Sequence, residues 1–157
     1  MSWLKPVLLC LTLAVAACGF EPVYGPGGAG TALQNRVQVD PPRDRDGFLL
    51  VQRLEERLGR AGDPAYRLAI QLNLRQEERA IDPDGDIRRF HLIGGAVYTL
   101  IDVGTGAVVQ SDRVDSFVGY SATGTTVATL AAQRDAQARL MTILADQIVV
   151  QLQASSL

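Results

Sequence analysis

Histidine occurs once in the 157 residues, as His91, and cysteine twice, as Cys10 and Cys18. That scarcity argues against a His/Cys zinc site and against a disulfide framework. It also excludes any mechanism that needs two histidines. Charge of neither sign dominates: 15 basic and 17 acidic residues give −2, so no broad basic surface suggests nucleic acid. The uncharged apolar run over residues 7–17 is only eleven residues long. A membrane-spanning helix takes about 20 apolar residues, so the run is too short to be one. What is present is ordinary. At 47% hydrophobic and 20% charged, the composition is that of a globular chain, not of a disordered, collagen-like or coiled-coil one. At roughly 100–200 residues per domain, the length allows one domain plus any processing segment.

The run does fit the apolar region of a signal peptide, with Lys5 supplying the positive flank. It ends in Val15-Ala16-Ala17-Cys18, which resembles the bacterial lipobox, where cleavage precedes the cysteine. That resemblance implies that Cys18 carries diacylglycerol and an N-acyl chain. The alternative is an ordinary signal peptide with a cysteine near the cut. Cysteine arithmetic favours lipidation: Cys10 leaves with the leader and Cys18 is acylated, so the mature chain keeps no free thiol. The expected organisation is residues 1–17 as lipoprotein signal peptide, 18–35 as lipidated cysteine and flexible tether, and 36–157 as a single domain. Losing Lys5 leaves fourteen arginines, no lysine and the same seventeen acids, a net charge of −3. Guanidinium groups grip phosphate and carboxylate bidentately, although high-GC coding produces the same bias.

Residues 25–30 (GPGGAG) satisfy G-x-G-x-x-G letter for letter. The dinucleotide fingerprint needs a strand before it and a helix opening on it, so this stretch is read as linker. A short strand is expected over residues 36–40, ended by Pro41-Pro42. Asp46 is the expected N-cap of a helix reaching about Ala61, with Gly62 just past its end. Its stripe is Leu50, Leu54 and Leu58, with Phe48 and Val51 beside them; Arg53, Glu55, Glu56, Arg57 and Arg60 are expected to face water. Residues 66–75 alternate strictly, placing Tyr66, Leu68, Ile70, Leu72 and Leu74 on one face.

The turn around Asp84 reverses the chain. It predicts the pairs Ile70 with Tyr98, Leu68 with Leu100, Glu77 with His91, and Arg79 with Arg89. A third strand is expected over residues 88–103, a turn at Gly104-Thr105-Gly106, and a fourth, irregular strand over 107–120. A long helix follows to about Gln153, with the stripe Ala131, Ala138, Met141, Ala145, Ile148 and Leu152. The predicted fold is α+β: a four-stranded, mostly antiparallel sheet with two helices on one face, in the order β-α-β-β-β-α.

Chemistry-bearing motifs are few. Asp82-x-Asp84-x-Asp86 invites a calcium loop, but its glycine comes at the fourth position and Ile93 stands at the twelfth, so a tight turn is the better reading. His91 has no companion constellation, and Ser111, Ser116 and Ser121 lack an elbow motif. No enzyme, metal or cofactor is expected.

Cys18-Gly19-Phe20-Glu21-Pro22-Val23-Tyr24-Gly25 resembles the Cys-Gly-Phe-x-Pro-Leu-Tyr-Gly start of the lipopolysaccharide-assembly lipoprotein family LptE, especially its alphaproteobacterial branch. The resemblance continues through residues 96–102 with Gly104-Thr105-Gly106, and through Asp135-Ala136, Arg139, Leu144-Ala145-Asp146 and Ile148. Val23 departs from the commoner leucine. The resemblance implies an outer-membrane lipoprotein, anchored at Cys18, whose domain plugs the β-barrel of its partner LptD and helps deliver lipopolysaccharide to the cell surface. Gly19 fits that placement, since lipoproteins kept at the inner membrane often carry aspartate there. Lipopolysaccharide as a ligand makes Arg75, Arg79, Arg88 and Arg89 candidate phosphate-binding residues near one hairpin end. Glu77, Glu78, Asp82, Asp84 and Asp86 offer the competing reading of a solvated, neutralised face. A lipid-anchored adaptor in another envelope assembly is the alternative function.

Overall fold

A computed structural model describes residues 29–81, 87–122 and 124–155. The elements run α1 (Ala29–Leu33), β1 (Val37–Val39), α2 (Arg45–Leu58), β2 (Tyr66–Ile81), β3 (Ile87–Asp102), β4 (Val108–Ser121) and α3 (Thr126–Ala154). The sheet order is β1-β2-β3-β4. β1 and β2 are parallel and the other pairs antiparallel. The α+β class, the four strands and their order are as the periodicity predicts. α1 is an addition, within the residues expected to be tether. Its Leu33 is fully buried, and Asn35 N–H bonds the Leu58 carbonyl, tying this segment to the end of α2.

α2 begins two residues earlier than expected. Asp44, not Asp46, caps it: its backbone is extended and its carboxylate accepts from the Gly47 N–H at 2.7 Å. Asp46 sits inside the first turn. The helix also ends sooner, because Gly59 takes φ 77° and its N–H closes on the Glu55 carbonyl. An L-residue resists that φ, so glycine stops the helix here and Gly62 is not needed.

Leu50, Leu54 and Leu58 of α2 are buried as predicted, while Phe48 is 57% exposed. On α3 the buried stripe is Ala136, Leu140, Met141, Leu144, Ala145, Ile148, Val149 and Leu152. Ala131 is exposed and Ala138 half-buried, so the stripe is wider and rotated from the expected one. The reason is that α3 packs against β3, β4 and α2 at once. Two packing surfaces demand a broader apolar arc than one sheet would. Each fully buried leucine stabilises by about 1.5–3 kcal/mol, and this arc together with Leu68, Ala96, Tyr98 and Leu100 forms the core.

Arg53 and Arg57 are not free on the wet face. Both reach Asp146 on α3 at 3.1 Å, Arg53 with two nitrogens on the two carboxylate oxygens. The far end of α3 is tied to the sheet by a polar chain. Tyr98 Oη donates to Gln151 Oε1 and accepts from Gln110 Nε2, both at 2.9 Å, and Ser155 Oγ donates to Gln110 Oε1 at 2.8 Å. Burial pushes the Tyr98 hydroxyl up to about 12, so it stays a neutral donor in this chain.

The β2–β3 register is the predicted one at Ile70↔Tyr98, Leu68↔Leu100 and Glu77↔His91. Past Glu78 it slips: Ala80 faces Arg89, and Arg79 is the extra residue of a bulge, so the expected Arg79–Arg89 pair does not form. β4 carries its irregularity at Val109, where the register shifts between Leu100↔Gln110 and Ile101↔Val108.

Candidate functional site

Both larger helices cover one face of the sheet, and among the described residues the other face is left open. The register lays this face out in rows. One row runs Arg75–Ile93–Phe117, the next Glu77–His91–Gly119, and on the other side lie Asn73–Gly95–Asp115 and Gln71–Val97–Arg113. Phe117 is 61% and Val97 39% exposed, and Ile93 is half-buried. His91 stacks on Phe117 with ring centroids 5.1 Å apart and planes at 23°. His91 is thus a neighbour of an aromatic ring on a wet face, a contact that β3–β4 pairing creates and that no local motif announces.

Charge surrounds this apolar row. Arg113 Nε donates to Asp115 Oδ2 at 2.6 Å, and its Nη2 to Asp115 Oδ1 at 2.5 Å, along the same strand. The Arg113 hydrogen bonds hold the Asp115 carboxyl below the ordinary carboxylate range, with the charges of Arg113 and Arg75 adding. Gly95 makes room for this pair: a Cβ there would stand 2.6 Å from Asp115 Oδ1 and 2.9 Å from Arg113 Nη2. Sequence reasoning singled out neither this ion pair nor the Gly94-Gly95 step. An Arg-x-Asp spacing on a strand, which places both residues on one face, is the signal that was available.

Of the arginines marked from the sequence, Arg75 and Arg79 share one acceptor. Arg75 lies 3.4 Å and Arg79 2.9 Å from Glu77, on its two carboxylate oxygens. One carboxylate thus serves both guanidinium groups. Arg89 is exposed at the end of β3, opposite Ala80 and Ser121. Arg88 belongs to β3, but its side chain lies outside the described residues, as do Cys18, residues 25–28 of the glycine-rich stretch, and Asp82, Asp84 and Asp86. Among the described residues no group of three or more His, Cys, Asp or Glu could hold a metal. Nor is any described helix long and apolar enough to cross a membrane.

Two shallow grooves flank the sheet. One, of about 540 Å³, runs between α2 and the edge of β2 beside Ile70 and Leu72. The other, of about 570 Å³, lies between α3 and the edge of β4, beside Arg113, Val114 and Asp115.

A four-stranded sheet with two larger helices on one face, and apolar, aromatic and guanidinium groups exposed on the other, defines a small α+β domain. The chain belongs to the LptE family: the family model "LptE: Lipopolysaccharide-assembly" matches residues 34–152, from the end of α1 to the last turns of α3. Its place is therefore among the lipopolysaccharide-assembly lipoproteins of the envelope. No curated relative matches it. The fold is similar to that of a candidate lipoprotein from Caulobacter crescentus CB15, at 29% identity and TM-score 0.66, covering 79% of this chain and 92% of that one. It is also similar to the rare lipoprotein B from Shewanella oneidensis, at 16% identity and TM-score 0.55 over 74% and 89% of the two chains. A minor lipoprotein from Acinetobacter baumannii shares the fold at 18% identity and TM-score 0.54, over 76% and 89%.

Proposed function

We propose that this chain is held at the periplasmic face of the outer membrane by a lipid on Cys18 and serves as plug and partner of the LptD β-barrel. In that position it takes part in lipopolysaccharide transport and insertion, without catalysis of its own. The family match over residues 34–152 carries the reading. In this scheme residues 1–17 are the leader, 18–35 are the tether, and 36–157 are the body, with the tether's end folded onto the body as α1.

Physical chemistry supports each part. A lipid tether makes docking effectively intramolecular and raises the local concentration of the plug. A barrel lumen is polar, and the open sheet face is largely polar and wet. The ligand would be an acylated, phosphorylated glycolipid. Guanidinium forks match phosphate geometry, and the Ile93–Phe117 row offers apolar contact to acyl chains beside Arg75.

The direct-binding part of the proposal rests on Arg75, Arg79, Arg88 and Arg89. Alanine at Arg79, Arg88 and Arg89 together is expected to weaken lipopolysaccharide binding about tenfold or more at low salt, with the difference shrinking as salt screens the contacts. A titration of labelled lipopolysaccharide at two ionic strengths reads this. Unchanged affinity at low salt removes these residues from the site.

A further inference from the structure

β1 pairs with β2 only from Val37↔Tyr66 to Val39↔Leu68, while β2 runs on to Ile81. Among the described residues the last bond on this side is Asp40 N–H to the Leu68 carbonyl. A continuing strand would next bring the N–H of residue 42 to the Ile70 carbonyl. Residue 42 is proline, which has no N–H, so β1 stops there. α2 then runs back over β1, since the Leu58 carbonyl at its end takes the Asn35 N–H just before β1. Its first half, with Gly47, Leu50 and Val51, lies over the part of the lane that β1 leaves empty. The groove of about 540 Å³ is that space, with Ile70 and Leu72 on its other wall.

The bonds on either side of β2 fix which backbone groups face the lane. Tyr66 N–H bonds the Arg36 carbonyl and the Leu68 carbonyl takes Asp40 N–H, so these two residues point toward β1. Ala65 points the other way, its carbonyl bonded by Val103 N–H. Alternation turns Gln71, Asn73 and Arg75 toward β3 and leaves Ile70, Leu72, Leu74 and Gln76 with N–H and C=O groups aimed into the lane. Proteins usually blunt such an edge with proline, lysine, charge or a bulge. Residues 70–76 hold no proline, no lysine and no register shift. β4, the opposite edge, carries Asp112, Arg113 and Asp115 and a shift at Val109.

The walls of the lane select its occupant. Ile70, Leu72 and Leu74 are half-buried against the core, and Val51 is half-buried across the groove. An incoming strand would set every second side chain on this apolar surface. Near the end of β1, Arg43 lines the groove and is exposed. Among the described residues it has no carboxylate partner: Asp40 is held by Arg67, and Asp44 accepts from Gly47 N–H. The groove therefore offers a guanidinium to an acidic side chain. Acyl chains would fill the apolar part but leave the row of N–H and C=O groups without partners. A polypeptide strand satisfies both.

Building on the barrel partnership proposed above, we propose that the lane from Ile70 to Gln76 receives an extended segment of the barrel partner as an added strand, with apolar side chains at alternate positions beneath α2 and a carboxylate against Arg43. Main-chain bonds supply affinity, and the apolar positions fix the register. One lane takes one segment, which keeps the contact one-to-one.

Amide exchange of the full chain, extracted with its barrel in mild detergent and compared with the same chain purified alone, tests this. The Ile70, Leu72 and Leu74 amides are expected to slow at least about tenfold in the complex, while those of Gln71 and Asn73, already bonded to β3, change little. Val51→Trp, which fills the groove, and Arg43→Glu are each expected to cut the barrel retained by at least about tenfold, in chains whose circular dichroism is unchanged. A barrel held equally by both variants, or unchanged exchange at Ile70, Leu72 and Leu74, overturns the added strand and leaves the partnership standing. Recovery of no barrel overturns the partnership and the strand with it. Slowing of the same amides by lipopolysaccharide added to the chain alone gives the groove to the lipid and overturns the strand. Should either variant fail to fold, exchange in the unmodified complex decides.

Discussion

Cys18→Ser, made behind an ordinary cleavable leader, is expected to abolish flotation of the purified chain with phosphatidylethanolamine–phosphatidylglycerol vesicles. The expected loss is of several orders of magnitude in partitioning. Each buried CH₂ of an acyl chain contributes about 0.8 kcal/mol, and one chain binds only marginally whereas two or more anchor stably. Nothing else described in the molecule replaces that anchor: no described helix can span a bilayer. The body carries a net negative charge, so an anionic surface does not attract it. If the serine variant floated as the parent does, the anchor would lie elsewhere and the tethered-plug reading would lose its foundation.

Gly94→Val is expected to be the most damaging exchange at a glycine of the sheet. A Cβ at position 94 would meet Leu140 Cδ2 and Leu74 Cδ2 at 3.0 Å and Leu144 Cδ1 at 3.1 Å. The missing side chain is therefore what lets α3 lie close over β3. Two further methyl groups must push Leu140 and Leu144 off their rotamers or lift the helix. Over-packing of a tight core costs typically 1–3 kcal/mol, and about 3 kcal/mol is expected here because three leucines close on one point. The urea midpoint should fall with the slope unchanged. Gly95→Ala is the internal control. Its Cβ points to the open face and meets only the ends of the Asp115 and Arg113 side chains. A Gly94→Val chain as stable as its parent would mean that this glycine does not set the helix–sheet distance.

How much of this was legible beforehand depended on whether the deciding contact was local. The alternation over residues 66–75 and the turn at Asp84 give the β2–β3 register without any tertiary knowledge, because period two and a fixed turn leave one pairing that keeps leucines inside. That register holds from Leu68↔Leu100 to Glu77↔His91. It fails at Arg79 because the strict alternation ends at Arg75, and the polar run over residues 76–79 offers no apolar face to fix the register. The cap shifted from Asp46 to Asp44 because both are aspartates two residues apart, and only the backbone at Gly47 selects between them.

Contacts between distant segments were invisible. Arg53 and Arg57 look like water-facing residues of an amphipathic helix until α3 brings Asp146, 93 positions from Arg53, to within 3.1 Å. The space at Gly94 that admits Leu140 and Leu144 of α3 likewise shows only once helix and sheet are packed together. α1 was missed because its glycine-rich start reads as linker, and Leu33 becomes core only when α2 and α3 enclose it. The candidate site divides in the same way. Arg75 and Arg79 were found from sequence, and their shared acceptor Glu77 was named among the neutralising acids. The His91–Phe117 stack and the Arg113–Asp115 pair emerged only from strand pairing.

The central claim is that this lipid-tethered domain works as one half of a two-protein transport device. The most direct measurement is mild-detergent extraction of the tagged full chain from its native envelope, followed by identification and quantification of what comes with it. The account predicts a β-barrel of the LptD type in one-to-one ratio, retained through washes that strip other lipoproteins. Recovery of the chain alone, or with envelope scaffolds and no barrel, would contradict it.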